Sequence, residues 1–255
     1  MNEEVMPNKN IFKAYDIRGV VNQDLTTPIV KKIGQAIGSM ALSQKQENIC
    51  VGYDGRLSSP QLARELINGI LSTGIDVTNI GLCTTPMLYF SNYHLSTGTG
   101  VMITGSHNPP EYNGFKIVIN EKTLSSDEIQ HLYKIILNSS YQNGKGQEKS
   151  LSVKNDYLKK ISSSIKLKRP MKIAIDCGNG AGGVCAQELF ENLGVDVEAI
   201  FCDVDGNFPN HHPDPSDPKN FQDLKRILKE GNSELGLAFD GDADRLGVIT
   251  KDGEK

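Results

Sequence analysis

Short β-branched runs alternate with helical patterns along this chain, and that alternation restricts the fold more than any other feature. Ile49-Cys50-Val51-Gly52-Tyr53 reads as a buried strand. Asp54-Gly55-Arg56 turns out of it, and Ser59-Pro60 opens a helix, with Ser59 as N-cap and Pro60 at the first helical position. From Gln61 to Ser72 the apolar residues Leu62, Leu66, Ile67 and Ile70 form a helical stripe. Gly74 closes that helix, and Ile75 to Ile80 alternates as the next strand. The second half repeats the order. Met171 to Asp176 reads as a strand, Cys177 to Gly183 as a glycine-rich turn, Val184 to Leu193 as a helix and Gly194 to Val197 as a strand. Gly74-Ile75-Asp76-Val77 and Gly194-Val195-Asp196-Val197 stand 120 positions apart. The pattern predicts one βαβ unit used twice, with parallel pairing and right-handed crossovers. The fold class expected is α/β: two mixed or mostly parallel α/β domains of the same repeated topology.

Asn138 to Ser152 is polar and turn-rich and reads as the linker, which sets the domains at 1–145 and 146–255. A helix from Asn155 to about Ile165 opens the second. Pro209 to Pro218 is too rich in proline for a regular element. Leu246 to Thr250 reads as a strand and Lys251 to Lys255 as a hairpin turn. A hairpin calls for a returning strand, and a bare strand edge is a pairing liability. The reading therefore expects the natural fold to continue beyond Lys255.

A chain of 255 residues with net charge -4 and pI about 5.8 is a poor match for nucleic acid or an anionic membrane surface. An anionic substrate would need local positive groups. Cys50, Cys83, Cys177, Cys185 and Cys202 are odd in number and show no CxxC spacing, so they read as reduced, mostly buried thiols of a cytoplasmic protein. No apolar run resembles a signal peptide or a membrane span.

Two short runs carry chemistry. Thr104-Gly105-Ser106-His107-Asn108-Pro109-Pro110 follows a strand over Gly100 to Thr104, which delivers Ser106 to a loop at a carboxyl end. His107 is adjacent to Ser106, where neighbouring side chains rarely make a nucleophile–base pair, and no Gly-x-Ser-x-Gly elbow is present. Asp240-Gly241-Asp242-Ala243-Asp244-Arg245 offers three carboxylates at every other position. Drawn together at ~4 Å, each pair repels by about 4 kcal/mol at an effective dielectric near 20. A hard divalent cation relieves that repulsion. An EF-hand fails, because Arg245 stands where its loop wants Gly and Lys251 where it wants Glu. The rival reading is a solvated acidic turn. A hydroxyl and a cation site together point to phosphoryl transfer.

The two runs together resemble the α-D-phosphohexomutase family, in its bacterial phosphomannomutase/phosphoglucomutase branch. Supporting stretches are Phe12 to Gly19, Glu111 to Lys116 and Asp205 to Pro215. The resemblance implies four domains in the whole family fold, of which this chain matches the first two. It implies Ser106 as a phosphoserine, with Ser106, Asp240, Asp242 and Asp244 holding one Mg2+. Arg245 would support the phosphate, Arg18 and Lys116 would face the transferring group, His107 would line it, and Tyr15 would lie on the substrate side. Lys116 would move a proton if cationic neighbours depress its pKa. The implied reaction interconverts hexose 1-phosphate and 6-phosphate, of mannose or glucose, through a hexose 1,6-bisphosphate. Ala243 departs from the pattern, where Gly is more usual, and costs little unless the position needs a positive φ.

The family's third and fourth domains, which read sugar hydroxyls and the second phosphate, lie outside this chain. A poor or inactive mutase is therefore expected of it alone. Rival readings are a non-catalytic fragment or subunit completed by a partner chain, and a Mg2+-dependent sugar-phosphate phosphatase. Gly178, Gly180 and Gly183 formally meet a dinucleotide fingerprint with Asp203 at the acidic position, but the resemblance explains them as a helix-start turn. Asp54-Gly55-Arg56, His211 and His212 read as scaffolding rather than as site residues.

Overall fold

A computed structural model describes residues 5–254. In chain order the elements are β1 (Ile17–Val20), α1 (Thr27–Ser43), β2 (Asn48–Tyr53), α2 (Ser59–Leu71), β3 (Asp76–Leu82), α3 (Thr85–His94), β4 (Gly100–Ile103), β5 (Tyr112–Ile119), β6 (Lys122–Thr123) and α4 (Ser126–Leu137). There follow β7 (Glu148–Ser150), α5 (Lys154–Ser164), β8 (Lys172–Asp176), α6 (Ala186–Asn192), β9 (Asp196–Ile200), α7 (Gln222–Glu230), β10 (Leu235–Phe239) and β11 (Leu246–Thr250). The chain divides into two compact units. The first takes in residues up to Tyr53, Ser58–Gly81 and Leu88–Leu151; the second takes in Asp54–Leu57, Leu82–Met87 and the residues from Ser152 onward.

The first unit is built on a sheet of order β1-β5-β4-β2-β3-β7, with β6 alongside β5. β4 runs parallel to β2, β7 parallel to β3, and β5 antiparallel to both β4 and β1. Alternate strand residues point to one face, so Val101 and Ile103 of β4 and Phe115, Ile117 and Ile119 of β5 enter one core. Ile33 and Ile37 of α1, Leu66 and Ile70 of α2 and Leu132 of α4 close over it. Here the helical stripe read in Leu62, Leu66, Ile67 and Ile70 is buried.

The second unit is a four-stranded sheet of order β11-β10-β8-β9. β8 is parallel to β9 and to β10, and β11 is antiparallel to β10. The parity of β8 shows directly. Ile173 and Ile175 pack with Ala186 of α6 on one face, while Ala174 packs with Leu224 and Leu228 of α7 on the other. The expected repeat is borne out. The order β11-β10-β8-β9 reproduces β5-β4-β2-β3, with the antiparallel pair in the same place. The α/β class with mixed, mostly parallel sheets stands.

Several local expectations need correction. Helix α2 begins one residue early, with Ser58 at the N-cap position in an αR conformation and no side-chain cap bond, so Ser59 is already helical. The helix read from Val184 starts at Ala186, because Ala181–Val184 closes first as a 3-10 turn. The stretch 138–152 is not a free linker. The amides of Gly144 and Gly146 donate to the carbonyls of Ser72 and Leu71, and β7 then extends the first sheet beside β3. Residues 251–254 turn as read, with Gly253 at φ +80°. Lys255, the last residue of that reading, lies outside the described residues.

Helices α1 and α2 touch backbone to backbone. A Cβ added to Gly69 would stand 2.2 Å from the Lys31 carbonyl oxygen, and one on Gly34 would stand 2.3 Å from that of Leu66. Helix propensity alone favours Ala over Gly by about 1 kcal/mol. Here the collision with rigid backbone outweighs it. Gly69→Ala is expected to destabilise the first unit by about 1–3 kcal/mol in urea unfolding. An unchanged or raised midpoint would show that the two helices do not approach this closely.

Candidate functional site

The serine loop joins β4 to β5 in the first unit. The Thr104 amide donates to the Gly114 carbonyl (3.0 Å), which ties the loop's start to β5. The Ser106 amide donates to Thr104 Oγ1 (2.8 Å), closing a tight turn. Ser106 itself is left-handed at φ 49° and only 4% exposed. For a residue with a Cβ that conformation costs roughly 1–2 kcal/mol, and strain of this kind concentrates where function fixes the backbone. The turn overturns one expectation. Neighbours that an extended chain would point apart meet here, with Ser106 Oγ and His107 Nδ1 3.2 Å apart.

Asn108 staples the loop, donating from Nδ2 to the Gly105 carbonyl (2.8 Å) and accepting at Oδ1 from Arg18 Nη1 (3.3 Å). Arg18 is also paired with Asp16, so its guanidinium is fixed beside the serine loop. Lys116 lies on β5 opposite Met102 of β4, two residues beyond Gly114. Tyr15 is 73% exposed. Ser106, His107 and Arg18 are thus linked through one hydrogen-bonded loop, and Lys116 occupies the adjoining strand.

The acidic loop is the matching connection in the second unit, β10 to β11. The Asp240 amide donates to the Arg245 carbonyl (3.2 Å), so the loop is a closed hairpin. Asp240 Oδ1 accepts the amides of Asp244 (3.1 Å) and Arg245 (3.0 Å). One carboxylate oxygen from each of Asp240, Asp242 and Asp244 lies within 4.8 Å of the others. Asp240 and Asp242 are 0% exposed, whereas Asp244 and Arg245 are exposed. Two desolvated carboxylates and a third at their rim are unfavourable without a counter-charge. The donor set is all oxygen, which fits a hard divalent cation such as Mg2+. The strands on either side exclude an EF-hand, which needs helices there. Ala243 sits at φ 58°, so the condition under which Ala is costly is met, and the loop carries that strain.

Thr85 was not legible as a site residue. Its hydroxyl donates to Asp242 Oδ2 and its amide to the Asp242 carbonyl (3.0 Å), both within the second unit. Thr85-Pro86 announces a helix start, but nothing in the sequence ties it to a residue 157 positions away. The glycine-rich turn also has a role. The Ala181 amide donates to the Gly241 carbonyl (2.9 Å), and a Cβ on Gly180 would meet that oxygen at 2.8 Å. These glycines let the turn pack against the acidic loop, which accounts for them without a dinucleotide.

The remaining candidates are scaffolding. Arg56 pairs with Asp54 and stacks over Phe208, 5.5 Å from its centroid. Both ring nitrogens of His211 are engaged, Nε2 with Asp176 Oδ2 and Nδ1 with the His212 carbonyl, each at 2.9 Å. Burial works to lower the His211 pKa, but the Asp176 carboxylate, the His212 carbonyl and the Asp223 charge together hold it above its usual value. No helix among the described residues is long and apolar enough to cross a membrane.

Comparison with known proteins agrees with this architecture. Residues 9–143 match the model for phosphoglucomutase/phosphomannomutase, alpha/beta/alpha domain I, and residues 155–253 that for domain II. A phosphoglucomutase of Neisseria meningitidis serogroup B is 53% identical over 249 residues, covering 96% of this chain and 54% of that protein. A phosphomannomutase/phosphoglucomutase of Pseudomonas aeruginosa PAO1 is 48% identical over 244 residues, covering 96% and 53%. A crystal structure of a family protein from Burkholderia thailandensis superposes with TM-score 0.94 at 44% identity, covering 98% of this chain and 56% of that one. The chain spans about half the length of the curated relatives it matches. With both domain models matched in order over nearly its whole length, the chain belongs to the phosphoglucomutase/phosphomannomutase family.

Proposed function

We propose that this chain carries the phosphoserine and metal-binding portion of a phosphohexomutase that interconverts hexose 1-phosphates and 6-phosphates. The observation that carries the reading is the convergence of three carboxylate oxygens, two of them on fully buried side chains, within 4.8 Å. The names of the relatives, phosphoglucomutase and phosphomannomutase, support glucose and mannose phosphates as the substrate class.

In this reading Ser106 stores a phosphoryl group and hands it to a sugar hydroxyl. The resulting hexose 1,6-bisphosphate turns over, and its other phosphate returns to Ser106. One Mg2+, held by the Ser106 oxygen with Asp240, Asp242 and Asp244, would draw charge from the phosphoryl oxygens. A phosphoserine near -2, three carboxylates and one divalent cation leave about -3. Arg18, Lys116 and Arg245 offset that sum, which is why a chain of net charge -4 can take an anionic substrate. Arg18 is anchored through Asn108 to the serine loop, so its charge is placed before substrate arrives. His107, at 3.2 Å from Ser106 Oγ, orients that oxygen, and Lys116 is the candidate to exchange a proton with the sugar hydroxyl. Tyr15, exposed, is on the substrate side.

Recognition of the sugar and of its second phosphate is assigned to the part of the family fold outside this chain. Binding energy from those remote groups raises kcat as well as lowering KM. The chain alone is therefore expected to turn over glucose 1-phosphate, with a trace of the 1,6-bisphosphate, at least about 100-fold slower than a full-length relative. Equal turnover in a coupled assay would refute this division of labour. Steady release of inorganic phosphate instead would favour a phosphatase.

Incubation with glucose 1,6-bisphosphate and Mg2+ is expected to add one phosphate to the intact mass, and Ser106→Ala to abolish the addition. Phosphate still present on the Ala variant would place the modification elsewhere. Thr85→Val keeps the shape and removes the hydrogen bond to Asp242. It is expected to weaken Mn2+ binding by roughly 10–100-fold, with Thr85→Ser restoring it. Unaltered Mn2+ affinity in the Val variant would show that Thr85 does not position the ligand.

A further inference from the structure

The second unit holds a thiol pair that the metal and phosphate chemistry does not use. Cys177 follows β8 and Cys202 follows β9, and their sulfur atoms are 3.1 Å apart. The two residues are 25 positions apart, so no CxxC spacing announces them. The strands they follow are parallel neighbours in register from Lys172↔Asp196 to Asp176↔Ile200. The Cys177 amide continues that ladder, donating to the Ile200 carbonyl (3.3 Å). Extending that register sets Cys177 opposite Phe201, with Cys202 one residue beyond, and it is the two sulfur atoms that meet. Closing the bond needs about 1 Å of sulfur movement, to about 2.05 Å.

We propose that Cys177 and Cys202 form a peroxide-responsive thiol pair whose oxidation to a disulfide loosens the acidic loop's hold on its cation. Cys202 is the half-buried member and Cys177 is buried, which assigns first attack to Cys202. The electrostatics agree. Hydrogen bonding with Cys177 draws the Cys202 thiol below its ordinary pKa against the effect of burial and of the Asp176 charge. That same bond, then burial, pushes Cys177 well up. The Cys202 thiolate attacks one oxygen of hydrogen peroxide. The O–O bond breaks, hydroxide leaves and takes a proton as water, and Cys202 becomes a sulfenic acid. Cys177 then loses its proton and attacks the sulfenic sulfur. The S–S bond forms, the S–O bond breaks, and a second water leaves, so two thiols and one peroxide give one disulfide and two waters.

The path to the acidic loop is short. A Cβ built on Gly182 would lie 3.5 Å from Cys177 Sγ and 3.6 Å from Ala243 Cβ, so this glycine sits between the thiol and the loop. Its neighbour Ala181 donates to the Gly241 carbonyl. Drawing Cys177 towards Cys202 therefore moves the turn against which the loop packs. This coupling rests on the metal reading proposed above; the thiol pair does not.

The reduced full chain, treated with hydrogen peroxide, is expected to lose two hydrogens from its intact mass. Peptide mapping should then show a Cys177–Cys202 crosslink that dithiothreitol reverses. Neither Cys177→Ala nor Cys202→Ala should form it, and dimedone should trap Cys202 in the Cys177→Ala chain. The oxidised chain is expected to bind Mn2+ at least about threefold more weakly, with recovery on reduction. Peroxide treatment without that crosslink would overturn the site. A crosslinked chain with unaltered Mn2+ affinity would overturn the coupling. A reduced chain that binds no Mn2+ would overturn the metal reading and the coupling with it, while the crosslink still decides the thiol pair.

Discussion

Mutual repulsion among three carboxylates is the constraint around which the second unit is arranged. Asp240 and Asp242 are fully buried, and a chain does not bury two like charges beside a third without organising their surroundings. Each is held by name. The amides of Asp244 and Arg245 fix Asp240, and Thr85 fixes Asp242 from a segment distant in sequence. Ala243 accepts a left-handed backbone to let the loop close, and the glycine-rich turn packs closely against it. The donated hydrogen bonds partly offset the buried charge and hold the carboxylates in a fixed geometry. Such a preorganised set of oxygens fits a hard divalent cation.

The repeat explains where this chemistry sits. The strand order of the second unit reproduces that of four neighbouring strands in the first, and both loops of interest are the same connection, from the third repeated strand to the antiparallel fourth. One copy ends its parallel strand in a strained serine turn; the other ends it in the acidic hairpin. A duplicated βαβ framework has thus supplied two equivalent loops, and the proposed function gives each a different part of the phosphoryl transfer. The helical crossovers carry the cores, which leaves the connecting loops free to vary without disturbing the sheets.

Much of this was legible because strand and helix periodicities differ. Ile173 and Ile175 against Ala174, and the stripe through Leu66 and Ile70, identify faces without coordinates. The two motifs were legible because three alternate Asp and a serine turn are uncommon together. Long-range features were not. Thr85 meets Asp242, Arg18 meets Asn108 and Cys177 meets Cys202 only after the strands have been ordered. The polar stretch 138–152 lacked any apolar alternation, and its three paired residues in β7 are all exposed, so nothing in its composition marked an edge strand. The left-handed conformations of Ser106 and Ala243 are likewise set by their neighbours rather than by residue type.

The proposed function requires the oxygen at Ser106 and the carboxylates at 240–244 to share one cation. Phosphorus NMR of the phosphorylated chain with substoichiometric Mn2+ tests it most directly. The claim predicts a phosphoserine resonance broadened by the bound paramagnetic ion, with the broadening lost in Asp242→Asn. A resonance that stays sharp while Mn2+ occupies the acidic loop would contradict it.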